Sequence, residues 1–154
     1  MYACGLRIGE ATALPISAID SKQGLLRIAG KGGRERVVPL PASLLAPMRA
    51  FWKTHRHPTW LFPSRSGRRP LAKKTAAQAL QRARERARLD LRFTPHVLRH
   101  SYATRLIEQG TPLPVVQTLL GHGSIRSTLR YTHLTEPLQR DVRAAVDRLF
   151  AGLS

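Results

Sequence analysis

The sequence predicts an α+β domain that is mainly α-helical, with a small three-stranded antiparallel sheet near its N-terminus. Three observations predict it. Residues 16–40 break into short β-rich runs divided by turn signals, and the chain beyond Pro41 falls into helical segments punctuated by Pro and Gly. A length of 154 residues with 42% hydrophobic side chains suits one domain with a true core.

The opening MYACGLRIGEATAL is helical in composition after Gly5, with Leu6, Ile8, Ala11 and Leu14 as apolar positions. ISAID, LLRIA and RERVVPL follow, separated by SKQG and GKGG, which predicts a meander with tight turns. Lys31 then sits at a hairpin tip or strand end. Pro41 and Ser43 start a helix that runs to about Lys53. Residues 55–71 are rich in Pro, Gly, Ser and Arg and read as loop, with Trp60-Leu61-Phe62 as an apolar insert. Thr75 to Arg88 reads as a helix whose Arg82, Arg84, Arg86 and Arg88 fan around a solvated or DNA-facing surface. Thr94-Pro95 starts the next helix, with Pro in the first turn, and Gly110 stops it after Gln109. Pro112 to Leu120 is a further helix, ended by Gly121. Ser124 to Thr132 follows with Ser124 as its cap, and Pro137 to Leu149 closes the chain as an amphipathic helix.

Charge narrows the function. There are 26 Lys+Arg against 9 Asp+Glu, a formal net charge of +17, and 21 of those cations are arginine. The guanidinium fork matches phosphate oxygens two at a time, so the bias points to a polyanion, of which nucleic acid is the commonest. Cys4 is the single cysteine, which excludes an intrachain disulfide and suits a reducing cytoplasm. No apolar run approaches the ~20 residues of a membrane span, and no signal peptide is visible, so a cytoplasmic protein without a membrane partner is expected.

Several polar residues resist explanation as packing. His96, Arg99 and His100 fall at i, i+3 and i+4, on one face of a helix, with Val97 and Leu98 expected to point to the core. Three such cations side by side exclude a core role for that face unless an anion sits among them. Arg7 lies between Leu6 and Ile8, and a half-buried arginine needs a partner, for which Glu10 is one turn away. The histidines lack the carboxylates of a metal site or of a two-metal nuclease. Tyr131, set among Arg126, Arg130, His122 and His133, is either a packing residue or a nucleophile.

GLRIGEATAL, GKGGRERVVPL, TPHVLRHSYATRLIEQG and LLGHGSIRSTLRYTH occur in that order, with His122 nine positions before Tyr131. Together these motifs, spanning residues 5–133, resemble those of the tyrosine recombinases, the phage integrase family. The resemblance implies the catalytic-domain fold of DNA breaking-rejoining enzymes and a site-specific recombinase acting on double-stranded DNA. It implies that Arg7 and Arg99 clamp the non-bridging oxygens of the scissile phosphate, with His96 between them as donor and proton carrier. Lys31 would be the general acid for the departing 5′-hydroxyl, His122 a further phosphate donor, and Tyr131 the nucleophile that forms a covalent 3′-phosphotyrosine. No metal, ATP or other cofactor is implied. Residues 1–154 would be a single catalytic domain, truncated at its N-terminus and lacking the helical core-binding domain that family members usually carry. The helix at 137–149 would dock on a neighbouring protomer, giving a homo-oligomer on DNA. Glu10 is expected to support Arg7, His100 and His133 to have structural roles, and Tyr2 and Tyr102 to pack.

The chemistry has a physical rationale. Attack on a phosphodiester develops negative charge, which preorganised cations stabilise. A free phenol, with a pKa near ~10, is a poor nucleophile until surrounding cations favour its phenolate. The leaving alkoxide must receive a proton, which a lysine on a hairpin can supply. Two other readings remain: a catalytically disabled DNA-binding fragment, and a type IB topoisomerase-like nicking enzyme.

Overall fold

A computed structural model describes residues 1–30, 35–89, 94–121, 141 and 144–148 of the chain. The first segment, Met1 to Leu6, packs inward, with Ala3, Cys4 and Leu6 in the core. Helix α1 (Ile8–Thr12) is shorter than its composition predicts, because Pro15 disfavours helical geometry at Leu14. A 3-10 turn (Ile16–Ala18) leads into β1 (Ile19–Asp20), β2 (Leu25–Ala29) and β3 (Glu35–Pro39), an antiparallel sheet in the order β1-β2-β3. The predicted meander is therefore present.

Register sets the inner face of this sheet. Leu26 pairs with Val38 and Ile28 with Arg36, and all four are buried. The alternation has period two, so a charged residue, Arg36, occupies a core-facing position in phase with Val38, while Val37 faces out.

Helix α2 (Ala42–His55) runs two residues past the predicted end. No breaker intervenes there, and Arg56 closes the helix in the left-handed region at φ 47°. The loop at 56–72 is anchored where the apolar insert was expected: Leu61 is fully buried, its N–H donates to Leu14 O at 3.0 Å, and Ile16 N–H donates to Thr59 O at 2.8 Å. Helix α3 (Lys73–Arg86) begins and ends two residues before the predicted span, since Lys73 and Lys74 are good helix formers. Arg82, Arg86 and Arg88 are exposed and Arg84 is half-buried, a surface fan as expected. Helix α3 packs against α1.

Helix α4 (Pro95–Glu108) is capped by the Thr94 hydroxyl, which accepts from Val97 N–H at 3.4 Å. Its inner stripe is Arg99, Tyr102 and Leu106, spaced to share a face. Val97 is 44% exposed and Leu98 half-buried, so the expectation that both point to the core is corrected. Helix α5 (Leu113–Leu120) buries Val115, Val116, Leu119 and Leu120, and Gly121 ends it at φ 64°. A helical stretch at 144–148 adds Ala145 and Val146 to the same core. Among the described residues, no helix is long and apolar enough to cross a membrane.

Candidate active site

Arg7 and Glu10 belong to one local structure. Arg7 is the N-cap of α1 and Glu10 the third residue inside, so the Glu10 carboxylate reaches back and accepts the Arg7 backbone N–H at 2.7 Å. The same carboxylate accepts from Arg7 Nη1 at 2.9 Å. Glu10 is thus the partner that Arg7 was expected to need. The Arg7 side chain nevertheless stays 45% exposed, against 13% for Glu10.

Glu10 also serves two arginines from distant parts of the chain. Arg36 grips it as a fork, Nη1 to Oε1 at 2.9 Å and Nη2 to Oε2 at 2.7 Å. Arg99 Nη1 lies 4.0 Å from Oε2. Arg99 is buried, which corrects the expectation that its helix face lies outside the core. The anion that permits burial is in part Glu10, and His96 and His100 flank the buried guanidinium as exposed residues. Arg99 also donates to Gly5 O and Leu120 O.

The C-terminus of α5 supplies the remaining acceptors. Arg36 Nε donates to Leu119 O at 2.9 Å, Arg99 Nη2 to Leu120 O, and Arg7 Nη2 to Gly121 O at 3.3 Å. Three consecutive carbonyls thereby receive three different guanidinium groups. Carbonyls at a helix C-terminus lack intrahelical donors and carry the negative end of the helix dipole, so they suit cations. Gly121 allows the approach: a Cβ there would stand 3.0 Å from Arg36 Cδ and 3.1 Å from its Nη1.

The electrostatics favour an additional anion. Three guanidinium groups meet one carboxylate, leaving two net positive charges in the cluster. Burial would by itself raise the Glu10 carboxyl, but hydrogen bonds from Arg36 and Arg7, together with the Arg36 charge, hold it at about 2. Burial, followed by the charge of Arg7, lowers Arg99 to about 10, so it stays protonated at neutral pH. A bound anion would relieve that repulsion.

Lys31, His122 and Tyr131 lie outside the described residues, as do His133 and the predicted helix at 124–132. Of the expected site, the described structure brings Arg7 and Arg99 together around Glu10 and leaves His96 exposed on the first turn of α4. Among the described residues, no group of three or more His, Cys, Asp or Glu side chains could hold a metal ion. Arg36 was missed by the sequence reading. Its signal was the alternation of ERVVP, which puts it in phase with buried Val38. Tyr102 is fully buried, in keeping with its expected packing role.

Residues 1–137 match the model of the phage integrase family. Tyrosine recombinase XerD of Caulobacter vibrioides is 41% identical over 143 residues, covering 87% of this chain and 47% of that protein. The integrase from mycobacterium phage Brujita superposes with a TM-score of 0.73 at 25% identity, over 96% of this chain and 48% of that one. XerH site-specific recombinase, in a pre-cleavage complex bound to difH substrate, superposes with a TM-score of 0.71 at 27% identity, over 91% of this chain and 43% of that one. This chain spans about half the length of the curated relatives it matches. The fold is that of a tyrosine recombinase catalytic domain, and the chain belongs to the phage integrase family.

Proposed function

We propose that this chain is a site-specific DNA recombinase that cleaves and rejoins double-stranded DNA through a covalent 3′-phosphotyrosine at Tyr131. The observation that carries the reading is the cluster itself. Arg7, Arg36 and Arg99 converge on Glu10 and the end of α5 with two positive charges in excess, and Arg7 is half exposed. Such a site can take an anion with two non-bridging oxygens.

In the proposed reaction, Arg7 and Arg99 hold those oxygens and His96 donates a further hydrogen bond. The Tyr131 oxygen bonds to phosphorus as the bond to the 5′-oxygen breaks. Lys31 gives a proton to that leaving oxygen, the phenolic proton passes to His96, and His122 steadies the developing charge. The reverse attack by a 5′-hydroxyl restores the DNA backbone and frees Tyr131. This scheme requires neither metal nor ATP, because the fixed cations supply the charge stabilisation.

The reading extends to assembly. The protein is proposed to act in the cytoplasm as a homo-oligomer on DNA, with the segment at 137–149 docking on a neighbouring copy. Ala145 and Val146 are buried in the chain's own core, so that docking would use other residues of the segment. Deletion of residues 137–154 with unchanged self-association would sink this part.

The enzyme reading is tested by incubating the chain with sheared host DNA, denaturing, and recovering protein-linked DNA. Adduct from the parent but not from Tyr131→Phe is the expected result. Equal adduct from both would refute the role of Tyr131, and adduct from neither would leave a binder without strand cleavage.

A further inference from the structure

We infer that Arg36 is a positioning residue for the phosphate clamp: its fork on Glu10 keeps Arg7 from being captured by that carboxylate and leaves part of the Arg7 guanidinium for an anion. The inference rests on the function proposed above and concerns a residue outside the set expected to touch the DNA.

The geometry carries it. Glu10 has two oxygens, and Arg36 takes one nitrogen to each, at 2.9 and 2.7 Å. Arg7 therefore meets Glu10 through a single side-chain bond, Nη1 to Oε1 at 2.9 Å, while Nη2 reaches Gly121 O at 3.3 Å. Guanidinium and carboxylate favour paired, parallel hydrogen bonds. Without the Arg36 fork, both Glu10 oxygens would be open to Arg7, three residues away on the same short helix. Arg7 would then turn its donors inward.

The position of Arg36 also links the parts of the site. It lies on β3, which begins four residues after Lys31 in the sequence. Its fork fixes α1, which Arg7 caps, and its Nε bond at 2.9 Å fixes Leu119 at the end of α5, three residues before His122. One buried side chain thus ties together three segments that lead into candidate site residues. Stability alone does not require it. The site faces the core in phase with Val38, where an apolar side chain would fit the alternation, and buried ion pairs contribute little net stability relative to such a replacement.

The experiment uses the 154-residue chain and inorganic phosphate as the probe, with binding followed by NMR. Arg36→Lys retains the charge but cannot form the fork. It is expected to weaken phosphate binding by about tenfold or more, and to move the Glu10 carboxyl titration upward. Glu10→Gln removes a negative charge, so simple Coulomb attraction would tighten phosphate binding. The capture argument also releases Arg7 in this variant, so phosphate binding is expected to hold or tighten, and the loss caused by Arg36→Lys in the parent is expected to vanish when Arg36→Lys is added to Glu10→Gln. Phosphate binding within twofold of the parent after Arg36→Lys would overturn the inference. If that variant does not fold, Arg36→Met, an apolar side chain that suits the alternation of the strand, decides by the same twofold criterion. A parent chain that binds no phosphate would overturn both this inference and the function on which it rests, whereas loss of the inference alone leaves the parent's binding and DNA adduct intact.

Discussion

Arg36 and Glu10 face each other between β3 and α1 as a two-pronged ion pair, with Nη1 2.9 Å from Oε1 and Nη2 2.7 Å from Oε2. Twenty-six residues separate them in sequence, and the pair joins the sheet to the helix that Arg7 caps. Removing one partner exposes the other's desolvation. Glu10→Gln leaves Arg36 and Arg99 buried with only neutral acceptors, and is expected to destabilise the fold by about 3 kcal/mol. Urea denaturation of the parent and the variant checks this, and a change below about 1 kcal/mol would contradict it.

The same carboxyl gives a pH dependence of known sign. Its value is about 2 in the folded chain against an ordinary 4.5, so the folded state binds fewer protons in that interval. Its contribution is fully present above the ordinary value and is lost as pH falls toward about 2. The stability gap between parent and Glu10→Gln should therefore narrow between pH 4.5 and the lowest pH at which the fold survives. A gap that widens on acidification would contradict the assignment.

Gly5 provides a packing test close to the site. A Cβ there would lie 2.6 Å from Tyr102 Cδ1 and 2.7 Å from its Cε1, and the backbone sits at φ +59°. Gly5 O also accepts from Arg99. Gly5→Ala combines left-handed strain with overpacking, and should cost about 2–4 kcal/mol. Calorimetry would show a lowered Tm, and an unchanged Tm would refute the packing assignment.

Tyr102 predicts the opposite sign. Its hydroxyl is buried with no hydrogen-bond partner among the described residues, and burial raises its pKa. Tyr102→Phe removes an unsatisfied polar atom while keeping the ring, and should stabilise the chain by about 1 kcal/mol. Loss of stability in urea unfolding would show that the hydroxyl has a partner.

Much of the fold was legible because its signals are local. The turn residues at 21–24 and the caps Thr94 and Gly121 mark element ends through the chain itself, and the strands between them alternate with period two. Boundaries slipped by two residues in α2 and α3, where no strong breaker fixed the end. The Arg7–Glu10 pair was legible because a capping box lies within four consecutive residues. The rest of the cluster was not. Arg99 stands at a helical position among other cations, and only the tertiary approach of Glu10, Gly5 O and Leu120 O makes its burial possible. Arg36 could have been found from strand phase, but its partners lie 26 and 83 residues away. The three carbonyls at the end of α5 carry no side-chain signature at all.

In the proposed reaction the phosphate held beside this arginine cluster is attacked by one tyrosine, Tyr131. The most direct measurement is to isolate the DNA-linked protein, digest it, and identify the modified residue by mass spectrometry. The expected product is a 3′-nucleotide phosphodiester on the Tyr131 oxygen and on no other side chain. A DNA adduct mapped to another residue, such as Tyr2 or Tyr102, would contradict it.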